Sequence, residues 1–251
     1  MRNRDILHED FKPLPYWWEA YRPVTGDLVD VPRTARVVIV GAGYAGLSCA
    51  IELADAGVEA CVLEAAELGA GASTRSGGGV SGGVNIGKSF TGKVLARDPV
   101  VVKTILASGH DAFSLIETLI EREKIDCCWE KKGRFVGAWT PKDYKFQESR
   151  LANLNAGANS AAYMVPRERQ REEMASDYYY GGMVVERSAK LHPALYYKGL
   201  LDAARRRKIR ICAKAAADRI DKQGNGWRIT TSRGPIEAGD LVIAKIGRAH
   251  V

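Results

Sequence analysis

The sequence contains few residues of the kinds that build disulfide frameworks or metal centres. Five cysteines and four histidines occur among its 251 residues, and the cysteines show neither a metal-ligand spacing nor a paired framework. Three of the cysteines lie inside apolar runs, where a free thiol behaves as a small hydrophobic side chain. The sequence therefore predicts no bound metal, and it is typical of a protein from a reducing compartment.

Long apolar runs are also missing. No apolar stretch approaches the ~20 residues that a membrane-spanning helix needs. The first residues, MRNRDILHEDF, are too polar for a secretory signal. We therefore expect a cytoplasmic protein without a membrane span.

A dense basic surface is the third missing feature. Lysine and arginine number 37 against 30 acidic residues, which gives a net charge of +7 that is spread along the chain. The densest basic run, RRRK at 205–208, is predicted to be the solvated last turn of a helix, where positive charge is favourable. No basic face with interleaved aromatic residues accompanies it, so we predict no nucleic-acid partner.

The clearest local pattern is VVIVGAGYAGLSCA at 37–50. Residues 37–40 form a continuous apolar run, which is typical of a strand buried on both faces of a parallel sheet. Beyond the glycines, Leu47, Ala50 and Ile51 recur at helical spacing. A second apolar strand follows at 61–63. The segment therefore predicts a βαβ unit with a right-handed crossover.

The glycines of this unit indicate a dinucleotide site. Gly41, Gly43 and Gly46 fill the pattern G-x-G-x-x-G: the first permits the tight turn, the second lets a pyrophosphate approach the backbone, and the third lets the helix pack on the strand. Glu64 ends the next strand, where an acid can accept hydrogen bonds from ribose hydroxyls. The carboxylate disfavours a 2′-phosphate, so NADP is the least favoured dinucleotide.

The segment GASTRSGG at 71–78 favours FAD over NAD. It places the Ser73 hydroxyl, the Arg75 guanidinium and flexible backbone just beyond the ribose acid, where they could hold the far phosphate and approach a flat ring. A mobile glycine linker is the alternative interpretation. The segment offers no histidine or cysteine for covalent attachment, so we expect non-covalent FAD.

A second glycine motif is an expected false match. Residues 82–89, GGVNIGKS, fit the phosphate-binding pattern G-x-x-x-x-G-K-[ST] letter for letter. A functional loop of this kind must leave a buried strand and begin a helix. The preceding residues, STRSGGGVSGG, cannot form that strand, so we predict no nucleoside triphosphatase.

The rest of the chain predicts an alternation of helices and strands. We expect helices at 101–124, from Thr140-Pro141 onward and at 193–207, a hairpin that pairs 126–129 with 134–139, a strand at 210–213, a meander over 219–237 and a separate buried strand at 240–244. We assign residues 1–34 to a lead-in, 35–84 and 191–251 to a discontinuous cofactor domain, and 85–190 to a partial substrate domain.

Three segments carry a family resemblance. VVIVGAGYAGLSCAIELADAG, VLEAAELGAGASTRSGG and KLHPALYYKGLLDAA resemble the FAD-dependent amine and amino-acid oxidases, a family that includes D-amino-acid, glycine and sarcosine oxidases. PYWWEA and GASTRSGG are most similar to its gamma-glutamylputrescine oxidase group. The resemblance covers nearly the whole chain and implies an α/β fold: a Rossmann-like FAD-binding domain, built from the βαβ unit and a β-meander, with an inserted α+β substrate domain.

The motifs and the resemblance together define a set of predicted FAD-binding residues. Ser73 and Arg75 are expected near the pyrophosphate and flavin, and the strand-edge backbone near Ala217 is expected to face the adenine. Ser76 departs from the asparagine that close relatives carry. The set comprises Gly41, Gly43, Ala45, Gly46, Glu64, Ala72, Ser73, Arg75, Ser76, Gly77, Gly78 and Ala217.

The resemblance also implies a reaction. It predicts oxidation of a C–N bond in a small amine or amino acid, with hydride transfer to the flavin and oxygen as acceptor. No catalytic side chain is predicted, because the cofactor carries the chemistry. A dehydrogenase that uses a quinone or carrier is the alternative. A third interpretation is a non-catalytic FAD-binding fragment. KIGRAHV at 245–251 stands where the resemblance implies a flavin-contacting turn, so we expect a C-terminally truncated chain.

Overall fold

The computed structural model describes residues 8–23, 26, 28–81 and 98–245. These residues form the following elements in chain order: β1 (Thr34–Val40), α1 (Tyr44–Asp55), β2 (Ala60–Leu63), β3 (Gly79–Ser81), α2 (Pro99–Glu123), β4 (Arg134–Gly137), α3 (Pro141–Ala158), β5 (Ala162–Val165), β6 (Gly182–Val185), β7 (Ser188–Lys190), α4 (Pro193–Arg206), β8 (Arg210–Cys212), β9 (Ala217–Gln223), β10 (Gly226–Thr231) and β11 (Gly234–Ile243).

The chain divides into two compact units. The first comprises Met1–Ser76 and Pro193–Val251, and the second comprises Gly77–His192. The predicted domain limit at 84/85 falls outside the described residues, as does the false phosphate-loop match at 82–89. The assignment of the two units to cofactor and substrate remains a prediction.

The first unit is built on a six-stranded sheet of order β8-β2-β1-β11-β10-β9. The strands β8, β2, β1 and β11 run parallel to one another. The strand β10 pairs antiparallel with β11, and β9 pairs antiparallel with β10. Val38 and Ile39 of β1 are fully buried, as expected for a central strand covered on both faces. The predicted α/β class with a parallel core is confirmed.

The predicted βαβ unit forms as the periodicity indicates. The helix α1 buries Leu47, Ala50 and Ile51 completely, so its apolar stripe faces the sheet. It ends before Gly57, whose φ of +74° is a conformation that glycine adopts without strain. The predicted crossover connects β1 to its parallel neighbour β2.

The last strand differs from its prediction. The last segment of the predicted meander and the strand predicted at 240–244 belong to one continuous strand, β11, whose first half pairs antiparallel with β10 and whose second half pairs parallel with β1. Its end is not buried, since Ile243 is 54% exposed. Hydrogen bonding on both edges makes a strand central in a sheet, but its faces are covered only where another layer packs on them.

The second unit contains the antiparallel sheet β4-β6-β5 and the two-stranded pair β3-β7. The cluster of buried side chains that joins this sheet to α2 and α3 includes Leu106, Leu154 and Met183. The helix α3 starts as predicted, with Thr140 as the cap: its Oγ1 accepts a hydrogen bond from the backbone N–H of Asp143 at 3.1 Å.

The predicted hairpin of the second unit is wrong. Residues 126–129 form no strand, and β4 pairs with β6 instead. The φ of +53° at Cys128 breaks the extended conformation that a hairpin arm requires. The distant strand β6 therefore takes the place of the expected local partner.

Membrane-spanning helices and metal sites were both expected to be absent. None of the helices in the described part of the chain has both the length and the apolar character that a bilayer span requires. No group of three or more His, Cys, Asp or Glu side chains among these residues is placed to hold a metal ion. The five cysteines are free thiols.

Candidate functional site

The turn between β1 and α1 requires glycine at its first position. The backbone of Gly41 has φ +108°, and its N–H donates to the carbonyl oxygen of Leu63 at 2.7 Å. A Cβ built on this residue would lie 2.7 Å from the carbonyl oxygen of Ala244, which is closer than real contacts allow. Any side chain at position 41 would therefore both strain the backbone and displace the end of β11.

The third glycine of the motif fixes the helix against the strand. A Cβ on Gly46 would lie 1.8 Å from the carbonyl oxygen of Gly41. The first turn of α1 therefore lies on the turn that precedes it, with no room for a methyl group. This close approach directs the N-terminal amides of the helix toward the space beyond the turn.

The segment after β2 brings a hydroxyl to the same place. Ser73 lies in the short 3₁₀ helix Ala72–Thr74, and its Oγ accepts a hydrogen bond from the backbone N–H of Tyr44 at 3.2 Å. A Cβ on Gly43 would lie 2.9 Å from that oxygen. Since the hydroxyl accepts this bond, its own hydrogen remains available for donation to an anionic ligand.

The predicted ribose acid lies beside the glycine turn. The two carboxylate oxygens of Glu64 accept hydrogen bonds from different backbone N–H groups: Oε2 from Ala42 at 2.9 Å and Oε1 from Ala66 at 3.2 Å. Its backbone N–H donates to Cys212 in β8 at 2.9 Å. Each oxygen keeps a further acceptor position, so the oriented carboxylate can still accept hydroxyl groups of a sugar.

The lead-in segment holds the serine-bearing loop. Trp18 Nε1 donates to Thr74 Oγ1 at 2.9 Å, and that buried hydroxyl donates to the carbonyl of Gly69 at 2.6 Å. Trp17 Nε1 donates to the carbonyl of Ser76 at 2.8 Å. Both tryptophan side chains are half-buried. Thr74 was not among the predicted site residues, because no local pattern links it to a tryptophan that lies 56 residues earlier in the chain.

Other predicted residues are not gathered at the turn. The Arg75 Nε donates to the carbonyl of Gly71 within its own loop at 3.1 Å, and the side chain is exposed. Ala72 and Ser76 lie in the same exposed loop. Gly77 and Gly78 begin the second unit, where the carbonyl of Gly78 accepts from Leu191 N–H at 2.9 Å.

The residue predicted to face the adenine, Ala217, belongs to a segment that is hydrogen-bonded to Glu64. Ala217 begins β9 and packs against the apolar cluster of the sheet. Two residues earlier, the N–H of Ala215 donates to the carbonyl of Glu64 at 2.8 Å. The segment that carries Ala217 is therefore hydrogen-bonded to the residue predicted to bind the ribose.

Two buried thiols lie in the neighbouring strands β2 and β8 of this sheet. The Sγ atoms of Cys61 and Cys212 are 3.8 Å apart. The hydrogen bond to Cys212, together with burial, raises the pKa of Cys61 above its usual range, while the same bond and the nearby guanidinium of Arg233 lower the pKa of Cys212. Cys61 therefore remains a neutral thiol that packs in the apolar cluster of the sheet.

The arrangement as a whole fits a dinucleotide. The N-cap of α1 is Gly43, which offers no side-chain cap, and the first N–H groups of a helix have no partner inside it. The helix dipole and these amides favour a negatively charged diphosphate. The Ser73 hydroxyl is hydrogen-bonded to the Tyr44 amide and the Glu64 carboxylate to the Ala42 amide. The turn therefore carries the two groups that a phosphate and a sugar require.

Comparison with curated proteins identifies relatives of similar sequence. The chain is 29% identical over 229 residues to gamma-glutamylputrescine oxidoreductase from Escherichia coli, an alignment that covers 90% of this chain and 51% of that protein. It is 29% identical over 213 residues to a probable oxidoreductase from Haemophilus influenzae, covering 84% and 48%. The chain thus spans about half the length of the curated relatives that it matches.

Solved structures show the same fold. L-amino acid deaminase from Proteus myxofaciens superimposes with a TM-score of 0.72 at 18% identity, covering 89% of this chain and 48% of that one. Glycine oxidase from Geobacillus kaustophilus superimposes with a TM-score of 0.69 at 20% identity, covering 85% and 56%. The FAD-dependent oxidoreductase family, abbreviated DAO, matches residues 36–245. The chain therefore belongs to this family, whose cofactor is FAD.

Proposed function

We propose that this chain supplies the FAD-binding part of an enzyme that oxidises a C–N bond of a small amine or amino acid. The observation that carries the proposal is the placement of Ser73 and Glu64 at the glycine turn, each hydrogen-bonded to a backbone N–H of residues 42–44. This placement supports a site for a diphosphate next to a ribose.

The chain's own groups divide the binding as follows. The amides of Ala45 and Gly46 in the first turn of α1 bind the diphosphate, and the Ser73 hydroxyl donates to it. Glu64 accepts hydrogen bonds from the ribose, and the backbone near Ala217 faces the adenine. Arg75 is exposed, so it is free to exchange its intraloop bond for a phosphate or flavin contact.

The chemistry belongs to the cofactor. When bound, FAD would supply the acceptor for a hydride from the carbon of the substrate C–N bond, and oxygen would take up the electrons. The residues described above are assigned to binding and orienting the cofactor, and no side chain of this chain is proposed as catalytic. The loop at 71–78 contains neither histidine nor cysteine, which supports non-covalent attachment.

The substrate class and the domain roles follow from the relatives. The curated relative named above is an oxidoreductase of gamma-glutamylputrescine, and the structural neighbours include glycine oxidase and amino acid deaminases. We assign the unit Gly77–His192 to part of the substrate domain, with a small amine or amino acid as its ligand. We also propose a cytoplasmic location.

A dehydrogenase is the second candidate. L-proline dehydrogenase from P. horikoshii superimposes with a TM-score of 0.69 at 17% identity. An enzyme of this type passes its electrons to a carrier or quinone, so the two candidates share the site and differ in the acceptor. The third candidate is a fragment that binds FAD without turning over a substrate, because the chain spans about half the length of its curated relatives.

One experiment separates the three candidates. The purified chain, loaded with FAD, is mixed without oxygen with a panel of amines and amino acids while flavin absorbance near 450 nm is recorded, roughly the wavelength at which oxidised flavins absorb. Bleaching followed by peroxide release when air is admitted supports the oxidase. Bleaching without peroxide supports the dehydrogenase, and binding without bleaching supports the non-catalytic fragment. Failure to bind FAD contradicts the proposal.

A further inference from the structure

Residues 15–21 of the lead-in form a surface element, which we call the clasp. Its short 3₁₀ helix, Tyr16–Glu19, contains no buried residue, and Tyr16 is 73% exposed. A segment with few buried contacts opens locally at a small cost in free energy. The clasp therefore depends on its contacts with the rest of the first unit to stay in place.

The clasp is attached to the loop 69–76 at two points. The indole N–H of Trp18 donates to Thr74 Oγ1 at 2.9 Å, and the indole N–H of Trp17 donates to the carbonyl of Ser76 at 2.8 Å. Both bonds are made by side chains of the clasp, and both end on the last part of the loop. Docking of the clasp therefore restrains the loop directly.

The Thr74 hydroxyl extends this restraint to the beginning of the loop. It is fully buried, and while it accepts from Trp18 it donates to the carbonyl of Gly69 at 2.6 Å. A Cβ on Gly69 would lie 2.8 Å from Cε1 of Tyr197, so the loop begins in close contact with that ring. The same ring lies 6.5 Å from the ring of Tyr21 in the clasp, measured between centroids. The clasp and the beginning of the loop therefore share a contact surface.

The residue that this arrangement positions is Ser73. It precedes Thr74 in the 3₁₀ helix Ala72–Thr74, and its Oγ accepts the Tyr44 amide at 3.2 Å. Because adjacent residues of one short helix share their backbone, a fixed Thr74 also fixes the direction of the Ser73 hydroxyl. When the clasp is undocked, Thr74 loses one of its two hydrogen bonds and the loop is free to move. Ser73 is then no longer held at the glycine turn.

We propose that docking of the clasp and binding of FAD are coupled, with Trp18 and Thr74 as positioning residues. The proposal rests on the proposed function, since it concerns the same Ser73. A ligand binds more weakly when only a fraction of the chain has the competent conformation. The docked clasp therefore raises the affinity for FAD, and bound FAD in turn stabilises the docked clasp by the same factor.

Affinity measurements test the first half of this coupling. Trp18→Phe keeps an aromatic ring without the N–H group, and Thr74→Val keeps the side-chain shape without the hydroxyl. Each should raise the dissociation constant of FAD about three- to tenfold, the effect of one lost hydrogen bond, measured by quenching of flavin fluorescence. The double variant should bind no more weakly than the weaker-binding single variant, because both changes remove the same bond.

Two further variants separate positioning from a general loss of structure. Thr74→Ser retains the hydroxyl and should bind FAD more tightly than Thr74→Val. Tyr16→Phe lies in the same 3₁₀ helix but alters an exposed ring, so it is the matched control and should bind FAD as the unaltered chain does. Circular dichroism establishes that each variant is folded. If Thr74→Val does not fold, the comparison of Trp18→Phe with Tyr16→Phe decides the outcome.

Hydrogen exchange followed by mass spectrometry tests the reciprocal half. The amides of Trp18 and Tyr21 donate within the clasp, to the carbonyls of Pro15 and Trp17. Saturating FAD should slow exchange in the peptide that covers 15–21 at least about threefold, as reciprocal coupling requires. Trp18→Phe should abolish this protection. Without FAD, the same variant should speed exchange in the loop 69–76, while Tyr16→Phe should leave it unchanged.

The outcomes distinguish the coupling from the proposed function. Unchanged FAD affinity in the folded Trp18 variant, or exchange in the clasp that does not respond to FAD in the unaltered chain, would overturn the coupling and leave FAD binding intact. An unaltered chain that binds no FAD would overturn the proposed function and the coupling together.

Discussion

The substitution Gly46→Ala tests the closest contact in the site. The added Cβ would lie 1.8 Å from the carbonyl oxygen of Gly41, 3.0 Å from its carbonyl carbon and 3.4 Å from the Cβ of Ala244. The two nearest atoms are backbone, so no flexible side chain can move aside. The helix α1 must separate from the strand, which removes contacts from Leu47 and Ile51, both fully buried.

The expected loss lies at the upper end of the range for overpacking, about 3 kcal/mol. For a chain of this size, each kcal/mol of lost stability lowers the midpoint of thermal unfolding by about 2–4 °C, so the midpoint should fall by roughly 6–12 °C. Gly71→Ala is the control, because its Cβ would meet nothing within 4 Å and its φ is −78°. Thermal denaturation followed by circular dichroism measures both. A Gly46→Ala midpoint equal to that of the control would refute the close approach of helix to turn.

Three further outcomes are expected. Glu64→Ala removes hydrogen bonds to a charged acceptor, worth about 1.5–3 kcal/mol, so FAD affinity measured by fluorescence quenching should fall at least about tenfold. Asn155→Ala removes two bonds to the backbone of Ala162, at 2.9 and 2.7 Å, and urea denaturation should show a loss of about 2 kcal/mol. Burial raises the pKa of Cys127 to about 11, so iodoacetamide at pH 8 should label the exposed Cys128 first; peptide mapping that finds equal labelling would contradict this.

The Cys127 thiol also gives a pH dependence. Its pKa in the folded chain is about 11, above the ordinary value of 9.0, so the unfolded chain loses this proton at lower pH than the folded chain does. The contribution of this thiol to the free energy of unfolding is complete below pH 9, and stability should fall as pH rises from 9 toward 11. Cys127→Ala should flatten that part of the profile relative to the unaltered chain. Urea denaturation across this range measures it, and an unchanged slope would contradict the assignment to Cys127.

The sequence predicted the βαβ unit because every signal for it is local. The apolar run of β1, the helical spacing of Leu47, Ala50 and Ile51, and the stop at Gly57 all act within a few residues of one another. Propensity and burial agree there, so the pattern alone determines strand, helix and strand.

Elements that depend on distant partners were predicted less well. The hairpin around Gly133 was wrong because β4 pairs with β6, and no local pattern reports a partner that far along the chain. The continuity of β11 was missed for a related reason: Gly239 lies inside the strand, where a Cβ would come 3.2 Å from the Arg36 carbonyl, although glycine in sequence suggests a turn.

The contacts of the site also divide into local ones, which the sequence predicts, and distant ones, which it does not. The glycines and Glu64 belong to one motif, so their proximity could be predicted from spacing. The bond from the Tyr44 amide to Ser73 and the bond from Trp18 to Thr74 join segments separated by 29 and 56 residues. Only the folded chain shows that the lead-in tryptophans hold the loop that bears the serine.

The structure of this chain with FAD is the most direct test of the central claim. The account predicts the diphosphate within hydrogen-bond distance of the Ala45 and Gly46 amides and of Ser73 Oγ, with the ribose hydroxyls on Glu64. A complex in which FAD binds with its diphosphate away from the N-terminus of α1, or in which Glu64 contacts no part of the cofactor, would contradict it.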